Sequence, residues 1–322
     1  MQRLAIALLA LCAIASGPET RAQDAYPNRL VRLIVPFAPG GNTDIVARVT
    51  AEYMAKALKT NVVVENRVGA GGLTGTDAAA KAPPDGYTLC VCGIGPIAVS
   101  PHTEKLPYNP LTDFAPVSLI NTNPMVLLVN PRINATTAVE LVALSKSTTN
   151  GMNYATAGIG GLTHFAAELL RVRNQMPLTA VTYRGGALAT AAIISGEVPF
   201  GFASMSDAMA QLAAGTVRAV AITTGKRSSF APQIPTLMEQ GLADFPIESW
   251  NGLVAPAGTP RPVVNLLAAV MAEMAKDSTH QKRLTDIGSI PVASTPSEFE
   301  AIIREDTERW DRALKTISIV KK

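Results

Sequence analysis

Short glycine-rich segments recur along the chain, and each is followed by residues that favour the start of a helix. Residues 38–41 (APGG) precede Asn42 and Thr43, and residues 158–161 (GIGG) precede Thr163. Main-chain N–H groups in the first turn of a helix have no partner within the helix and carry a partial positive charge. Glycine also lets a ligand approach the backbone without a Cβ in the way. The pattern is typical of sites where main-chain donors bind a carboxylate or a phosphate.

A single loop of this kind could equally be no more than a tight turn between a strand and a helix. Several such loops, in two series along the chain, favour a shared ligand cleft. A nucleotide fits this pattern poorly. Thr74 and Thr163 stand where the third glycine of a dinucleotide-binding fingerprint belongs, and no loop has the Gly-Lys-Ser/Thr of a P-loop. We therefore expect no nucleotide and no other cofactor.

Residues that could perform catalysis are few. The chain has three histidines, His102, His164 and His280, and it lacks both the Gly-x-Ser-x-Gly elbow and the His-Glu-x-x-His zinc motif. His164 follows a glycine-rich loop, where it could donate a hydrogen bond to a ligand or simply start a helix. Asp44 and Asp207 are interpreted as helix caps. The sequence predicts no catalytic group and no metal site, and therefore a protein that is not an enzyme.

The elements that must position these loops follow a strand–loop–helix order. Apolar strands are predicted at residues 30–36, 61–65 and 87–92, and a second series starts near Met125, with strands at residues 126–129, 153–155, 179–182 and 200–203. Two capping boxes, Thr137 with Glu140 and Thr295 with Glu298, open further helices. This alternation predicts an α/β fold with parallel sheets flanked by helices. The loops at the carboxyl ends of such strands gather at one edge, where ligands bind.

The amino terminus predicts export. Arg3 precedes an apolar run at residues 4–16, and residues 20–22 (TRA) offer a small-x-small cleavage site before Gln23. We expect residues 1–22 to be a cleaved signal peptide and the mature protein to be periplasmic. The 322-residue chain has a net charge of +3, which falls to +2 without residues 1–22. That charge is too weak and too scattered for a nucleic-acid surface.

Two cysteines remain after the signal peptide, Cys90 and Cys92, in a predicted buried strand. Residues i and i+2 of a strand share one face, but a bridge between them would be strained. Two thiolates alone also make a poor zinc site. We expect both cysteines to be buried small residues that are not bonded to each other.

Longer motifs occur in a fixed order along nearly the whole chain after residue 22. They are residues 35–44 (VPFAPGGNTD), 64–72 (VENRVGAGG), 84–88 (PDGYT), 183–185 (YRG), 235–241 (PTLMEQG) and 250–260 (WNGLVAPAGTP). Together they resemble the substrate receptors of tripartite tricarboxylate transporters, also called Bug-type receptors. The resemblance implies a two-lobed periplasmic-binding-protein (Venus-flytrap) fold. One lobe would comprise residues 23–124 and 248–322, and the other residues 125–247.

The resemblance also implies how a ligand is held. Members of this family bind the carboxylate of an organic acid through loop amides and hydroxyls, and deliver it to membrane subunits of a transporter. Carried over to this sequence, the contacts in the first lobe would be Pro39, Gly40, Gly41, Asn42, Thr43, Gly69, Ala70, Gly71, Gly72, Gly93 and Ile94. Those in the second lobe would be Gly160, Gly161, Thr163, His164, Tyr183, Arg184, Gly185, Ser204 and Ser206. The family usually has serine at Gly161 and lysine at Arg184, where a guanidinium could offer a bidentate contact.

The sequence thus predicts a monomeric, extracytoplasmic solute-binding protein that captures a small mono- or dicarboxylate for a tripartite transporter. Two alternatives stay open: a receptor that reports its ligand to a membrane sensor protein, and an enzyme that acts on small organic acids in the same cleft.

Overall fold

Strands and helices alternate through the computed structural model, which describes residues 26–243 and 246–316. The strands are β1 (Val31–Val35), β2 (Val62–Asn66), β3 (Thr88–Gly93), β4 (Phe114–Val129), β5 (Met152–Thr156), β6 (Leu178–Thr182), β7 (Phe200–Ser204), β8 (Arg218–Ile222), β9 (Glu248–Pro256) and β10 (Ile290–Pro291). The helices are α1 (Asn42–Leu58), α2 (Leu73–Ala80), α3 (Ala138–Ser147), α4 (Leu162–Asn174), α5 (Gly186–Ser195), α6 (Met205–Ala213), α7 (Arg261–Lys276), α8 (Ser278–Asp286) and α9 (Pro296–Thr316). Short helical turns occupy Ala70–Gly72, Gly95–Val99 and Ser100–His102. The predicted α/β class is confirmed.

Local sequence signals place several of these helices. The Thr137 hydroxyl accepts from the Glu140 N–H at 3.1 Å, and the Glu140 carboxylate accepts from the Thr137 N–H at 3.2 Å, which starts α3. Thr295 and Glu298 form the same pair of bonds before α9, at 3.2 and 2.7 Å. Both capping boxes satisfy main-chain donors that the first turn leaves unpaired, as the sequence predicts. Lys59 ends α1 in the left-handed conformation, with φ of 52°.

Two sheets share the long strand β4. The strand order is β2-β1-β3-β9-β4-β7-β5-β6, and β8 and β10 pair with β4 outside this path. Within the two sets β2-β1-β3 and β7-β5-β6 neighbouring strands are parallel, whereas β4 and β9 run antiparallel to their neighbours. β4 pairs with β9 as far as Pro124, and with β7 from Met125 onward. The chain therefore passes directly from one sheet into the other at this point, and returns between β8 and β9.

Apolar residues on both faces of each sheet form the core. The strands are fully buried at Leu33, Leu89 and Tyr154, as expected for parallel strands with helices on both sides. The C-terminal helix α9 packs back onto this core through Phe299 and Trp310, both fully buried. The two sheets, each with its own helices, therefore give two α/β lobes joined by β4 and β9.

The prediction for the cysteines is wrong in one respect. Cys90 and Cys92 are both fully buried in β3, as expected, but they are joined by a disulfide. Their Cα atoms are 5.5 Å apart, closer than the about 6.6 Å that two residues of a regular strand span. This contraction brings two side chains on the same face of the strand within bonding distance.

Three sequence predictions concern the limits of the chain and of its lobes. Residues 1–22, the predicted signal peptide, lie outside the described residues. The lobe boundaries at residues 124/125 and 247/248 stay a prediction.

Among residues 26–243 and 246–316, no helix has both the length and the apolar character needed to cross a bilayer.

Candidate functional site

A cavity of about 90 Å³ lies where the carboxyl ends of strands from the two sheets face each other. A cavity needs about 10–15 Å³ to hold one water molecule, and pockets for drug-sized ligands enclose about 300–1,000 Å³. The volume of this cavity therefore suits a small solute. On the β1–β3 side it is lined by Phe37, Gly41, Asn42, Thr43, Gly71, Gly93, Ile94, Gly95 and Ser249. On the β5–β7 side it is lined by Met125, Ala157, Gly158, Gly161, Leu162, Thr163, Gly186, Ser204 and Asp207.

Four helices begin at this cavity, one from the β1–β3 side and three from the β5–β7 side. Their N-cap residues are Gly41 for α1, Gly161 for α4, Gly185 for α5 and Ser204 for α6, and none of them caps its helix through a side chain. The first-turn N–H groups therefore lack the acceptor that an N-cap side chain usually supplies, although the Asn42 N–H of α1 and the Ser206 N–H of α6 have other side-chain acceptors, Asp207 and Asn123. Such convergent donors, with the positive ends of four helix dipoles, suit an anion.

Asp44 holds the first of these loops in place from outside the cavity. Its carboxylate accepts hydrogen bonds from the Gly40 N–H at 2.9 Å, from Arg48 at 2.9 Å and from Asn66 at 2.8 Å. Burial works to raise the pKa of Asp44, but the bonds from Arg48, Gly40 and Asn66 outweigh it and keep that pKa below its usual value. An ionised Asp44 thus fixes the turn that leads into α1.

Asp207 is the acidic side chain in the cavity wall. Its Oδ1 accepts from the Asn42 N–H at 2.9 Å, across the cleft, and its Oδ2 accepts from the Ser204 hydroxyl at 3.0 Å. The carboxyl is packed in by protein on most sides and keeps part of its surface open to the cavity. This burial raises the pKa of Asp207 to about 6, although both hydrogen bonds oppose the rise. Asp207 therefore joins the two lobes as well as belonging to the first turn of α6.

A polar cluster lies next to Asn42, where β4 passes between the sheets. The buried Asn123 side chain donates to Ser289 Oγ at 2.8 Å, to Ser206 Oγ at 3.1 Å and to Asn42 Oδ1 at 3.3 Å. These bonds tie α1, α6 and β4 to the segment before β10. The starts of two facing helices are thereby anchored to the strand that joins the lobes.

The lobes touch each other at two glycines. A Cβ on Gly158 would lie 2.7 Å from the Gly71 Cα, and a Cβ on Gly71 would lie 2.6 Å from the Ile159 carbonyl oxygen. Real Cβ atoms do not approach other atoms this closely. The Ser100 hydroxyl also donates to the Gly160 carbonyl oxygen at 2.8 Å between the same two sides. The cleft is therefore closed at this rim, and only glycine allows the closure.

A second, outer pocket of about 630 Å³ adjoins the cavity on the far side of the two glycines. It shares Phe37, Gly71, Ala157 and Gly158 with the cavity and has Arg184 in its wall. Arg184 is exposed. Tyr183, beside it, donates through its hydroxyl to Glu197 at 2.8 Å. Arg184, predicted to offer a bidentate contact, thus lines the outer pocket rather than the cavity.

The predicted contact residues fall into three groups. Those that line the cavity are Gly41, Asn42, Thr43, Gly71, Gly93, Ile94, Gly161, Thr163 and Ser204. Those in the outer pocket are Gly69, Ala70, Gly72, Tyr183 and Arg184. Those that line neither are Pro39, Gly40, Gly160, His164, Gly185 and Ser206. Several of the last group have other roles: the Gly160 N–H meets His164 Nδ1 at 3.3 Å, and Ser206 belongs to the Asn123 cluster.

Sequence reasoning missed other cavity residues. Phe37, Ala157, Gly158 and Gly186 belong to the same loops and helix starts, so a wider selection around each glycine would have included them. Met125 and Ser249 lie in strands β4 and β9, where nothing in the sequence distinguishes a cavity position from a core position. The interpretation of Asp44 and Asp207 as helix caps is wrong, because the N-cap residues are Gly41 and Ser204 and the two carboxylates bind the Gly40 and Asn42 N–H groups instead. In the parts of the chain that the structure describes, no three His, Cys, Asp or Glu side chains group as a metal site would require.

The fold and the cleft define a class of protein, the two-lobed periplasmic binding proteins. The structure of the periplasmic binding protein BugD superposes with a TM-score of 0.88 at 33% identity, covering 92% of this chain and all of that one. MatC from Rhodopseudomonas palustris, solved with bound malate, superposes with a TM-score of 0.86 at 33% identity, covering 90% of this chain and 100% of MatC.

Within that class the family is also established. The model of the tripartite tricarboxylate transporter family receptor matches residues 46–319. Protein BugT of Bordetella pertussis is 34% identical over 289 residues, which is 89% of each chain. The chain belongs to the tripartite tricarboxylate transporter receptor family, so the resemblance inferred from the motifs is confirmed. Its fold and family are those of solute-binding receptors for transport.

Proposed function

We propose that this protein binds a small organic carboxylate in the cavity between its lobes and presents it to a transporter. The observation that carries the proposal is the convergence of four helix starts without side-chain caps, with Gly41 on one side of the cleft and Gly161, Gly185 and Ser204 on the other. Donors from both lobes can reach one ligand only when the cleft is closed. A carboxylate would therefore stabilise the closed arrangement.

The cavity explains why main-chain donors suffice. Among the residues that the structure describes, no Lys or Arg side chain lines it, so the ligand's charge would be met by main-chain N–H groups and by the Ser249 hydroxyl. Hydrogen bonds to a charged acceptor are about twice as strong as neutral ones, and the exclusion of water by the closed Gly71–Gly158 contact strengthens them further. The small volume favours an acid of a few carbon atoms, and the malate bound by MatC has this size.

The closing movement follows from the shared strand. We propose that residues 23–124 with 248–322 form one lobe, that residues 125–247 form the other, and that the two rotate about β4 and β9. The change of β4's partner between Pro124 and Met125 supports this division. In this account residues 1–22 are a signal peptide removed on export, the mature receptor is a periplasmic monomer, and its partners are the membrane subunits of a tripartite transporter.

A thermal-shift screen against mono- and dicarboxylates of two to six carbons tests the proposal. A ligand that binds only the native state raises the melting temperature, by an amount that grows with the logarithm of the ligand concentration above Kd. Hits are then measured by titration calorimetry, and the bound acid is recovered unchanged after prolonged incubation. No stabilisation by any acid, or conversion of the bound acid into a product, would contradict the proposal.

A further inference from the structure

The walls of the cavity differ in their hydrogen-bonding character, because Asp207 places an acceptor in one of them. The positive ends of α1, α4 and α5 face it with main-chain donors, whereas α6 adds a carboxyl group. Of the described residues that line the cavity, Asp207 alone has a titratable side chain. One wall thus accepts hydrogen bonds, while the other walls mainly donate them.

The Asp207 carboxylate is only partly satisfied by the protein. Each of its oxygens accepts one hydrogen bond, Oδ1 from the Asn42 N–H at 2.9 Å and Oδ2 from the Ser204 hydroxyl at 3.0 Å. An ionised carboxylate can accept about four. Across residues 26–243 and 246–316, no Lys, Arg or His forms an ion pair with it. The open part of its surface faces the cavity, where a ligand would lie.

We propose that Asp207 selects the ligand: the acid that this receptor binds carries, besides its carboxylate, an ammonium or amide group that donates a hydrogen bond to Asp207. The proposal rests on the proposed function and narrows its ligand class to amino acids and half-amides of dicarboxylic acids. The ligand's carboxylate lies at the first turn of α4, near Leu162 and Thr163, and its donor group lies against α6.

A plain dicarboxylate is disfavoured by the same geometry. Its second carboxylate would face Asp207 with no cation between them, and like charges at short range inside a protein repel strongly. Burial already raises the pKa of Asp207 to about 6, and a second anion could enter only if Asp207 took up a proton. An amide has the shape of a carboxylate without the charge and supplies two N–H donors instead.

The test compares isosteric ligands that differ in this one group: succinate with succinamate, and glutarate with glutaramate. Titration calorimetry at pH 8 keeps Asp207 ionised, since its pKa of about 6 lies well below that pH. For the wild-type protein the half-amide is expected to bind at least about tenfold more tightly than the dicarboxylate, a factor that corresponds to about 1.4 kcal/mol.

The variant Asp207→Asn supplies the reciprocal measurement. The Oδ1 of the asparagine can still accept from the Asn42 N–H, and its amide nitrogen can donate to the Ser204 hydroxyl oxygen. The variant therefore keeps a hydrogen bond to each of the two present partners. The amide can also donate to a carboxylate, so the variant is expected to bind succinate more tightly than wild type and to lose its preference for succinamate. If the variant does not fold, the ratio of the half-amide and dicarboxylate affinities of the wild-type protein is sufficient to test the proposal.

Two results would overturn the proposal while leaving the proposed function intact. One is wild-type binding of the dicarboxylate at least as tight as that of its half-amide at pH 8. The other is a folded Asp207→Asn variant in which the ratio of the two affinities is unchanged. Failure of all four acids, and of every other carboxylate tried, would instead overturn the proposed function and this proposal with it.

Discussion

The Asn42 main-chain N–H donates to Asp207 Oδ1 at 2.9 Å, which joins the start of α1 in one lobe to the first turn of α6 in the other. The acceptor is a carboxyl whose pKa burial raises to about 6. This bond takes up one of the main-chain donors in the first turn of α1. The protein's own carboxylate thus lies in the cleft in which we propose that the solute binds.

The first prediction concerns stability against pH. Because the pKa of Asp207 is about 6 in the folded protein and 3.8 when unperturbed, the folded state binds this proton more tightly. Its contribution to stability is full below pH ~4 and is lost as the pH rises through ~6. The loss is at most about 3 kcal/mol, at about 1.4 kcal/mol for each pH unit.

Urea unfolding of wild type and Asp207→Asn between pH 4 and 7.5 measures this loss. Wild type should lose stability relative to the variant across that range. Taking the difference between the two proteins cancels groups with the opposite slope, such as Asp44, whose pKa is lowered. If the free energies of unfolding of the two proteins changed in parallel with pH, the pKa of Asp207 would not be raised in the folded protein, and the prediction would be wrong.

The second prediction concerns closure of the cleft. Gly158→Ala places a methyl group 2.7 Å from the Gly71 Cα, so the lobes cannot meet as they do now. Gly158 does not have a positive φ, so alanine strains no backbone there. Overpacking of this kind costs about 1–3 kcal/mol, which should weaken carboxylate binding by roughly tenfold or more.

Small-angle scattering separates this loss of closure from general damage. With a saturating carboxylate the Gly158→Ala protein should keep a larger radius of gyration than wild type, while its melting temperature without ligand changes little. Gly225→Ala is the matched control, because its Cβ would meet nothing closer than Pro246 Cβ at 3.9 Å. Normal compaction of the Gly158→Ala protein would show that the two glycines do not limit closure.

The third prediction isolates one main-chain donor. Leu162 is the first residue of α4, and proline is tolerated at that position because its missing N–H is not needed by the helix. Leu162→Pro should therefore keep the helix and lose one donor to the ligand. A hydrogen bond to a charged group is worth about 1.5–3 kcal/mol, so affinity should fall by roughly 10- to 100-fold.

Leu162→Ala is the control for the lost side chain, since it keeps the N–H and removes most of the apolar contact. Calorimetry with the tightest acid from the screen gives both affinities. Equal losses in the two variants would mean that packing, rather than the main-chain donor, explains the effect.

Much of the fold was predictable because it depends on local chemistry. The N-cap pairs Thr137–Glu140 and Thr295–Glu298 form as the sequence indicates, and α1 begins at Asn42 after the glycine turn. These signals act within a few residues of chain, so no knowledge of distant packing is needed to read them.

The parts of the site that the sequence did not reveal depend on distant packing. Met125 and Ser249 reach the cavity only because β4 crosses from one sheet to the other and β9 pairs with β4 up to that crossing. The role of Asp207 depends on Asn42, which lies 165 residues away in the chain. The Cys90–Cys92 bridge depends on a local contraction of β3 that residue types do not encode.

Backbone amide NMR of a uniformly ¹⁵N-labelled, mature receptor tests the central claim most directly. The account predicts that titration with a bound carboxylate shifts the amide resonances of Thr43 in α1 and of Leu162 and Thr163 in α4 together, at one stoichiometry. Facing lobes would then be sharing a single anion through their helix starts. Shifts confined to one of these two helices, or located away from the cavity, would contradict the account.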